Sequence, residues 1–274
     1  TMFSTSYNFI SNKSFFDRGN LILSFQDINE SRHNRRFQSL QVNNQLENVK
    51  VYSVNSDFFK QLSENSSLSY GYEFTHNKVK SRAFGVSLKR KDESLSNFKD
   101  LVYIEIPTRY PSGGSNYSTS AAYFDYRKGL SIKSNINFGL RYTYTWLNAR
   151  WNEEALIDAN LNYIKSNNES FTGSVGYVYR FEKNWQISTN FSSGFRSPNI
   201  DDIGKIRENK GVLSVPNQSL KPEYAYNSEI SLSKFSEDKK NIFSINFYYS
   251  HINNHILRDN YNISNDLSTI DPTT

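Results

Sequence analysis

Apolar and polar residues alternate with a period of two along most of this chain. From Asn135 to Trp146, the residues Ile136, Phe138, Leu140, Tyr142, Tyr144 and Trp146 fall on one side. Asn135, Asn137, Gly139, Arg141, Thr143 and Thr145 fall on the other. An extended strand separates these two sets and helical spacing does not. The same rule sorts Trp185, Ile187, Phe191 and Phe195 from Gln186, Ser188, Asn190, Ser192 and Arg196. It also sorts Phe171, Val175, Tyr177, Tyr179 and Phe181 from Thr172, Ser174 and Arg180, and Phe243, Ile245, Phe247 and Tyr249 from Ser244 and Asn246. The pattern predicts ten strands, near residues 1–10, 19–29, 47–60, 67–78, 118–127, 133–147, 169–181, 185–195, 221–235 and 241–253. Most have the ~9–11 residues that cross a bilayer when the strand is tilted.

The connections alternate in length. Short ones fall near 62–66, 128–132, 182–184 and 236–240, and long ones near 30–46, 80–117, 148–168 and 196–220. Short turns at one end and long loops at the other are the topology of an outer-membrane β-barrel. Glu73, Arg141, Arg180 and Glu229 all take the polar side of their strands. On the lipid side a Lys or Arg at mid-bilayer would cost ~2–4 kcal/mol. Trp185, Tyr179 and Phe181 adjoin a short turn, where an interfacial aromatic girdle belongs. The pattern therefore predicts an all-β antiparallel meander. Phe138, Leu140, Tyr142, Ile187, Phe191, Ile245 and Phe247 are expected to face lipid, and Arg141, Arg180 and Glu229 the lumen.

Composition fits a sheet with one wet and one apolar face. Hydrophobic residues make up 36% of the chain and mean hydropathy is −0.68, yet aromatics reach 15%. Disordered chains share the first property and lack the second. There is no run of ~18 apolar residues of the kind a transmembrane helix needs, and no signal peptide at the first residues, so the natural start is expected upstream. Cysteine is absent, which excludes disulfides and thiolate metal sites. The net charge of +5 comes from interleaved charges without a basic block, so nucleic acid is not an expected partner.

Catalytic patterns are missing. There is no GxSxG, P-loop, HExxH or CxxC, so no catalytic residue, resident metal or cofactor is assigned and an enzyme is not expected. His251 and His255 have helical metal spacing but end a strand, and His76 and His251 take outward parity. His33 lies in a predicted extracellular loop within ESRHNRRF. The adjacent Asp201 and Asp202 lie near Lys205 and Arg207.

The strongest local signal is GFRSPNIDDIGK, at 194–205, followed by VPNQSLKPEYAYNSEI, at 215–230. Pro198 ends a strand; Pro216-Asn217 and Lys221-Pro222 set turns before the next. These phrases resemble the FRAP-type and NPNL-type boxes of the TonB-dependent outer-membrane receptors, especially those of the Bacteroidetes. ESRHNRRF, ENVKVYSVNSDF and TRYPSGGSNYSTSAAYFDYR also resemble barrel segments of that family, so the likeness covers nearly the whole chain. The motif residues carried over are Phe195, Arg196, Pro198, Asn199, Asp201, Asp202, Pro216, Asn217, Leu220, Pro222 and Glu223.

The resemblance implies a barrel of about 22 strands filled by a plug, set in outer-membrane lipid. It implies import of a scarce solute, most often an iron chelate such as a siderophore or haem, driven by a TonB-type energising protein. Residues 1–274 are then one partial barrel, with the plug, the N-terminal partner-binding segment and the last strands outside it. Haem receptors with these boxes carry a histidine between them; residues 199–215 hold none, so haem iron would need His33 or a tyrosine. His33, Arg35, Arg36, Arg109, Tyr110, Lys205 and Arg207 are the substrate-binding candidates, because guanidinium groups suit anionic chelates. A passive porin-like channel and a secreted β-rich adhesion or glycan-binding module are the alternatives. Roughly 100–150 globular residues upstream, about one domain, favour the receptor over the channel. A need for detergent excludes the soluble module.

Overall fold

The computed structural model describes residues 1–11, 15–88, 101–152, 163–204, 207–209, 212–214, 217, 219–238 and 240–257. In chain order the strands are β1 (Met2–Ile10), β2 (Arg18–Asn34), β3 (Gln41–Ser63), β4 (Ser66–Leu88), β5 (Leu101–Glu105), β6 (Ser115–Ser131), β7 (Ser134–Arg150), β8 (Tyr163–Arg180) and β9 (Trp185–Arg196). They are followed by the helical turn α1 (Ile200–Ile203), the small β10 (Arg207–Asn209) and β11 (Val212–Ser214), then β12 (Glu223–Phe235) and β13 (Ile242–Asn253). One antiparallel sheet of eleven strands runs β1-β2-β3-β4-β6-β7-β8-β9-β12-β13, with β5 added to β4, and β10–β11 form a separate hairpin. Among the described residues β1 and β13 are its two edges, exposed along nearly their whole length.

Register fixes facing, because residues opposite one another in a ladder share a face. Phe138 opposes Val175, which opposes Phe191, which opposes Ser228. Ile187, Leu232 and Ile245 form a second row on that face. Arg141, Arg180 and Glu229 lie on the other, as expected from parity. The chain folds its irregular segments onto this second face, which we call inner. Phe138, Phe171, Phe191 and Phe247 remain exposed on the outer face.

Short turns join the strands at one end. Glu64-Asn65 and Ile132-Lys133 are two-residue turns. Lys183 and Asn184 both adopt positive φ, 57° and 61°, in the bend before β9. Such left-handed pairs match the twist of a hairpin. The same end carries the aromatic rim: Tyr179 and Phe181 meet edge to face at 4.8 Å, and Lys234 lies 5.3 Å over the Trp185 ring.

The opposite end differs from expectation. Strand continues into each of the predicted loops at 30–46, 80–117 and 148–168, over 30–34, 41–46, 80–88, 101–105, 115–117, 148–150 and 163–168. β2 and β3 continue to a tip at 35–40, β4 reaches Leu88, and β5 (LVYIE) pairs with it. β3 and β4 have 23 residues each. At ~3.3 Å per residue such a strand is ~75 Å long, more than twice a bilayer core. Alternation vanishes in these extensions because polar residues occupy both faces, buried ones such as Asn44 and Ser81 included, while the backbone ladder continues. His33 is accordingly in β2, not in a loop. Its side chain takes outer parity, with Nδ1 2.7 Å from Asn44 Oδ1.

The inner wall at mid-height is a polar network. Arg141 bridges to Glu73 and lies over the Tyr123 ring, and the Tyr123 hydroxyl donates to Asp57. Tyr123 reaches Asp57 across Gly71, which stands between them in the ladder. A Cβ on Gly71 would lie 2.7 Å from Tyr123 Cζ. The missing side chain creates the passage the tyrosine occupies.

Candidate functional site

Toward the long-strand end the inner face changes character. Tyr117, Leu147, Ala149 and Ile164 hold inner parity, where lower rows carry Thr, Ser and Arg. Leu147 and Ile164 are each 1% exposed. Their cover is the segment that leaves β9: Ile203, itself 1% exposed, packs here with Ile200 and Leu220. The connection between β9 and β12 therefore turns inward and sits on the wall.

Its sequence explains the turn. Pro198 cannot continue the ladder. Asn199 caps α1, with Oδ1 accepting from Asp201 N at 2.8 Å and Asp202 N at 3.3 Å. Asp202 Oδ2 in turn accepts from Asn199 N at 3.0 Å, completing a capping box. Arg196 Nη2 donates to both Asp202 carboxylate oxygens, at 2.8 and 2.9 Å, and Arg196 Nη1 lies 3.6 Å from Glu223. Ser197 Oγ bonds Thr145 at 2.8 Å and Asn168 at 3.0 Å. In the second box Asn217 Oδ1 accepts from Ser219 N, Leu220 fills the apolar patch, Pro222 O accepts from Asn254, and Glu223 accepts from Ile256 N. Phe195 stacks obliquely on Tyr224 at 5.4 Å on the outer side. The two boxes are thus locked to each other and to the wall; most of their polar groups are spent on that lock. Pro216 lies outside the described residues.

A second segment crosses the inner face. Residues 106–114, between β5 and β6, leave the sheet and run under its rim. Gly113 N donates to Arg150 O, and Gly114, at φ 93°, turns the chain into β6. Pro111 and Thr108 are buried. Tyr110 ties this strap to the motif: its hydroxyl donates to Asp201 Oδ1 at 2.9 Å. Burial, and then the bond to Asp201 and its negative charge, push the Tyr110 hydroxyl up to about 12. Arg109 lies 5.3 Å over the Tyr110 ring and 3.9 Å from Glu30, with its side chain 16% exposed.

Beneath the strap the wall carries Glu47, 4% exposed, whose carboxylate oxygens have no hydrogen-bond partner; the same holds for Thr108 Oγ1. Glu30, Arg32, Glu47, Arg109 and Tyr110 therefore form an inward cluster of mixed charge beside α1. Burial holds the Glu47 carboxyl above its ordinary range, against the charges of Arg109 and Arg32 and the Ser81 hydroxyl, which pull it down; a desolvated acid facing charged neighbours marks a candidate site.

The sequence-based candidates divide. Arg109 and Tyr110 are brought to the motif helix. Arg35 and Arg36 are exposed at the β2–β3 tip, and His33 sits on the outer parity below them. Lys205 and the side chain of Arg207 lie outside the described residues, though the Arg207 backbone pairs with Ser214 in the β10–β11 hairpin. Glu30 and Arg32 were legible by parity, since they continue the inner rows beyond the membrane band, but a loop assignment over 30–46 hid them; Glu47, inside the predicted strand 47–60, was not singled out. Among the described residues there is no group of three His, Cys, Asp or Glu side chains arranged to hold a metal, and no helix is long and apolar enough to cross a membrane.

The model of the family described as TonB dependent receptor-like, beta-barrel matches residues 1–273. No curated protein matches. Among solved structures, the chain is similar to the Serratia marcescens hemophore receptor HasR, as a double mutant in complex with its hemophore HasA and heme. The TM-score is 0.68 at 12% identity, over 93% of this chain and 39% of that one. It is similar to the copper transporter OprC, with TM-score 0.63 and 10% identity over 86% and 36% of the two chains. A third is the ferric citrate transporter FecA in its unliganded form, with TM-score 0.60 and 12% identity over 97% and 36%. The chain thus spans well under half the length of these proteins, and identities this low speak to fold alone.

Proposed function

The chain belongs to the TonB-dependent receptors as part of their outer-membrane β-barrel, a family of transport receptors and not of enzymes, and from that premise we propose that the whole protein imports an iron chelate, a siderophore or haem. The observation that carries this reading is the inward cluster formed by the strap and the wall: Arg109 and Tyr110 of the strap with Arg32 of β2 at the extracellular end of the lumen, beside a motif helix fixed to the wall. Guanidinium groups held at an inner surface suit carboxylate- or catecholate-bearing chelates through paired hydrogen bonds. Metal carriers among the structural neighbours agree with this class without choosing within it.

In this reading residues 1–274 are one partial barrel. The open edges β1 and β13 pair with further strands of a barrel of about 22, a plug fills the lumen, and a TonB-type protein supplies energy through a segment outside these residues. The wording of the two boxes supports the Bacteroidetes-type branch. His33, Arg35, Arg36, Lys205 and Arg207 are proposed as first contacts of the incoming solute.

The test is labelled-ligand binding to whole cells carrying the full-length receptor at matched abundance, with ferric siderophores and haem as probes. Arg109→Ala is expected to weaken binding about tenfold, the equivalent of one charge-assisted hydrogen bond. The Arg35→Ala, Arg36→Ala, Arg207→Ala triple variant is expected to slow capture more than it weakens binding. Unchanged affinity for every probe in Arg109→Ala would remove the inner cluster from the site.

A further inference from the structure

The outer face has its own organisation by rows. Phe25, Tyr52, His76, Ser118 and Trp146 form one cross-strand row, and below it Leu23, Val54, Phe74, Ser120 and Tyr144 form the next. These rows end the apolar band. One step further out the row reads Asp27, Lys50, Lys78, Asn116, Asn148 and Lys165. Lys80 and Arg82 continue outward parity on β4, and Arg150 does so on β7 opposite Tyr163. The face turns from aromatic to basic within about two residues, or ~7 Å of strand.

A break in the sheet lies at the same height. β6 begins at Ser115 opposite Val79, and β5 joins β4 only from Phe84. Between them β4 has no neighbour on that side, because residues 106–114 have dived inward. A cleft of about 450 Å³ opens there, walled in part by Lys78, Lys80, Arg82, Asn148 and Arg150. Lys50 is balanced by Asp27 at 3.8 Å. Lys78, Lys80, Arg82 and Arg150 are exposed and, among the described residues, have no carboxylate partner. Two outward carboxylates stand nearby: Glu105 on β5, opposite Phe84 and diagonal to Arg82, forms no ion pair with the notch cations, and Glu169 on β8, in a lower row, accepts from the Tyr142 hydroxyl at 2.9 Å. Four like charges around one notch repel unless an anion sits among them.

We propose that this notch binds the phosphate groups of an anionic lipid of the outer leaflet, with its acyl chains lying on the apolar band beneath. Two independent features select a lipid over a free anion. The cations are on the lipid-facing parity, and the aromatic surface of Phe74, Tyr144 and Trp146 continues without interruption below them. Ammonium and guanidinium groups are the phosphate ligands of choice, and the Tyr163 hydroxyl, bonded to Asn148 at 3.0 Å, adds a polar wall for a sugar headgroup. The inference rests on the outer-membrane location alone and is independent of the solute carried.

The test uses the full-length receptor in detergent, with bisphosphorylated lipid A, its dephosphorylated form and inorganic phosphate as probes, read by native mass spectrometry. The wild type is expected to hold the bisphosphorylated lipid and not the dephosphorylated one. Each cation near a charged headgroup is worth roughly fivefold, so combining Lys80→Gln, Arg82→Gln and Arg150→Gln should lower affinity about a hundredfold. Lys128→Gln with Lys234→Gln, outward cations at the opposite rim, should leave it unchanged. Heat-modifiable migration on gels reports assembly. If the triple variant fails to assemble, Lys80→Gln should still lose about fivefold while Lys80→Arg loses nothing. Wild-type affinity in an assembled triple variant, or in Lys80→Gln, overturns the proposal. So does full displacement of the lipid by inorganic phosphate, which would make the notch a free-anion site.

Discussion

Strand β7 carries two different inner surfaces. Across the membrane band its inner row reads Asn137, Gly139, Arg141, Thr143 and Thr145; beyond it the row reads Leu147 and Ala149. Parity is unbroken, so what differs is the partner. Arg141 meets Glu73 and Tyr123 along the same wet wall, whereas Leu147 meets Ile203 of the inward-turned connection. An inner row that turns apolar above the membrane is the footprint of a docked segment. The lower wall is held by ion pairs and hydrogen bonds between strands; the upper wall is held by burial of a few apolar side chains.

The largest expected effect falls on the upper wall. Ile203→Ala removes a fully buried side chain, at a cost of ~2–5 kcal/mol to docking. In the full-length receptor the connection between β9 and β12 should be cleaved by protease about 30-fold faster or more, the equivalent of the lower end of that cost, while heat-modifiable barrel migration persists. Equal cleavage in variant and wild type would mean that the capping box and Arg196 hold the segment without the apolar contact.

A smaller effect is expected on the lower wall. Gly71→Ala places a methyl group in the path of Tyr123 and should cost ~1–3 kcal/mol, because the ring must leave Asp57 or the strand must shift. Tyr123→Phe in the same background should recover part of the loss, since the displaced hydroxyl no longer seeks its partner. The midpoint of urea unfolding in detergent measures both. Lack of any coupling between the two positions would separate the glycine from the tyrosine.

The smallest effect concerns the strap that joins the two regions. Tyr110→Phe removes one hydrogen bond to Asp201, worth about 1 kcal/mol. The folded-state pKa of Tyr110, about 12, lies above the unfolded value of ~10. The folded state therefore holds this proton more tightly, so the contribution is complete below pH ~10 and is lost as pH rises through about 12. Strap protection in hydrogen exchange should differ between wild type and variant at neutral pH and converge above that window.

Much of the fold was legible in residue order. Ile136 to Trp146 fixed β7 and its facing, and short connections were placed near 62–66 and 128–132, where the structure tightens them to the two-residue turns Glu64-Asn65 and Ile132-Lys133. Leu101–Glu105 was missed although its Val, Tyr and Ile favour a strand, because it stands between stretches read as loop. The extensions of β2, β3 and β4 were missed for a different reason: polar residues such as Asn44 and Ser81 occupy both their faces, so side-chain alternation fades while backbone hydrogen bonds persist. Of the candidate site, Arg109 and Tyr110 were visible as residues but not as neighbours of Asp201, 91 positions away.

The sequence by itself determined which residues face lipid and which face the lumen, because a period of two is a local property of an extended chain and burial acts on every strand alike. Only the tertiary structure decided that the motif boxes lock to each other through Arg196, Asp202 and Glu223, that residues 106–114 dive under the rim to leave a basic notch outside, and that Glu47 lies buried within reach of the Arg109 charge. Those contacts depend on where irregular segments come to rest, and that is set by side chains distant in sequence meeting on one wall, which no local period encodes.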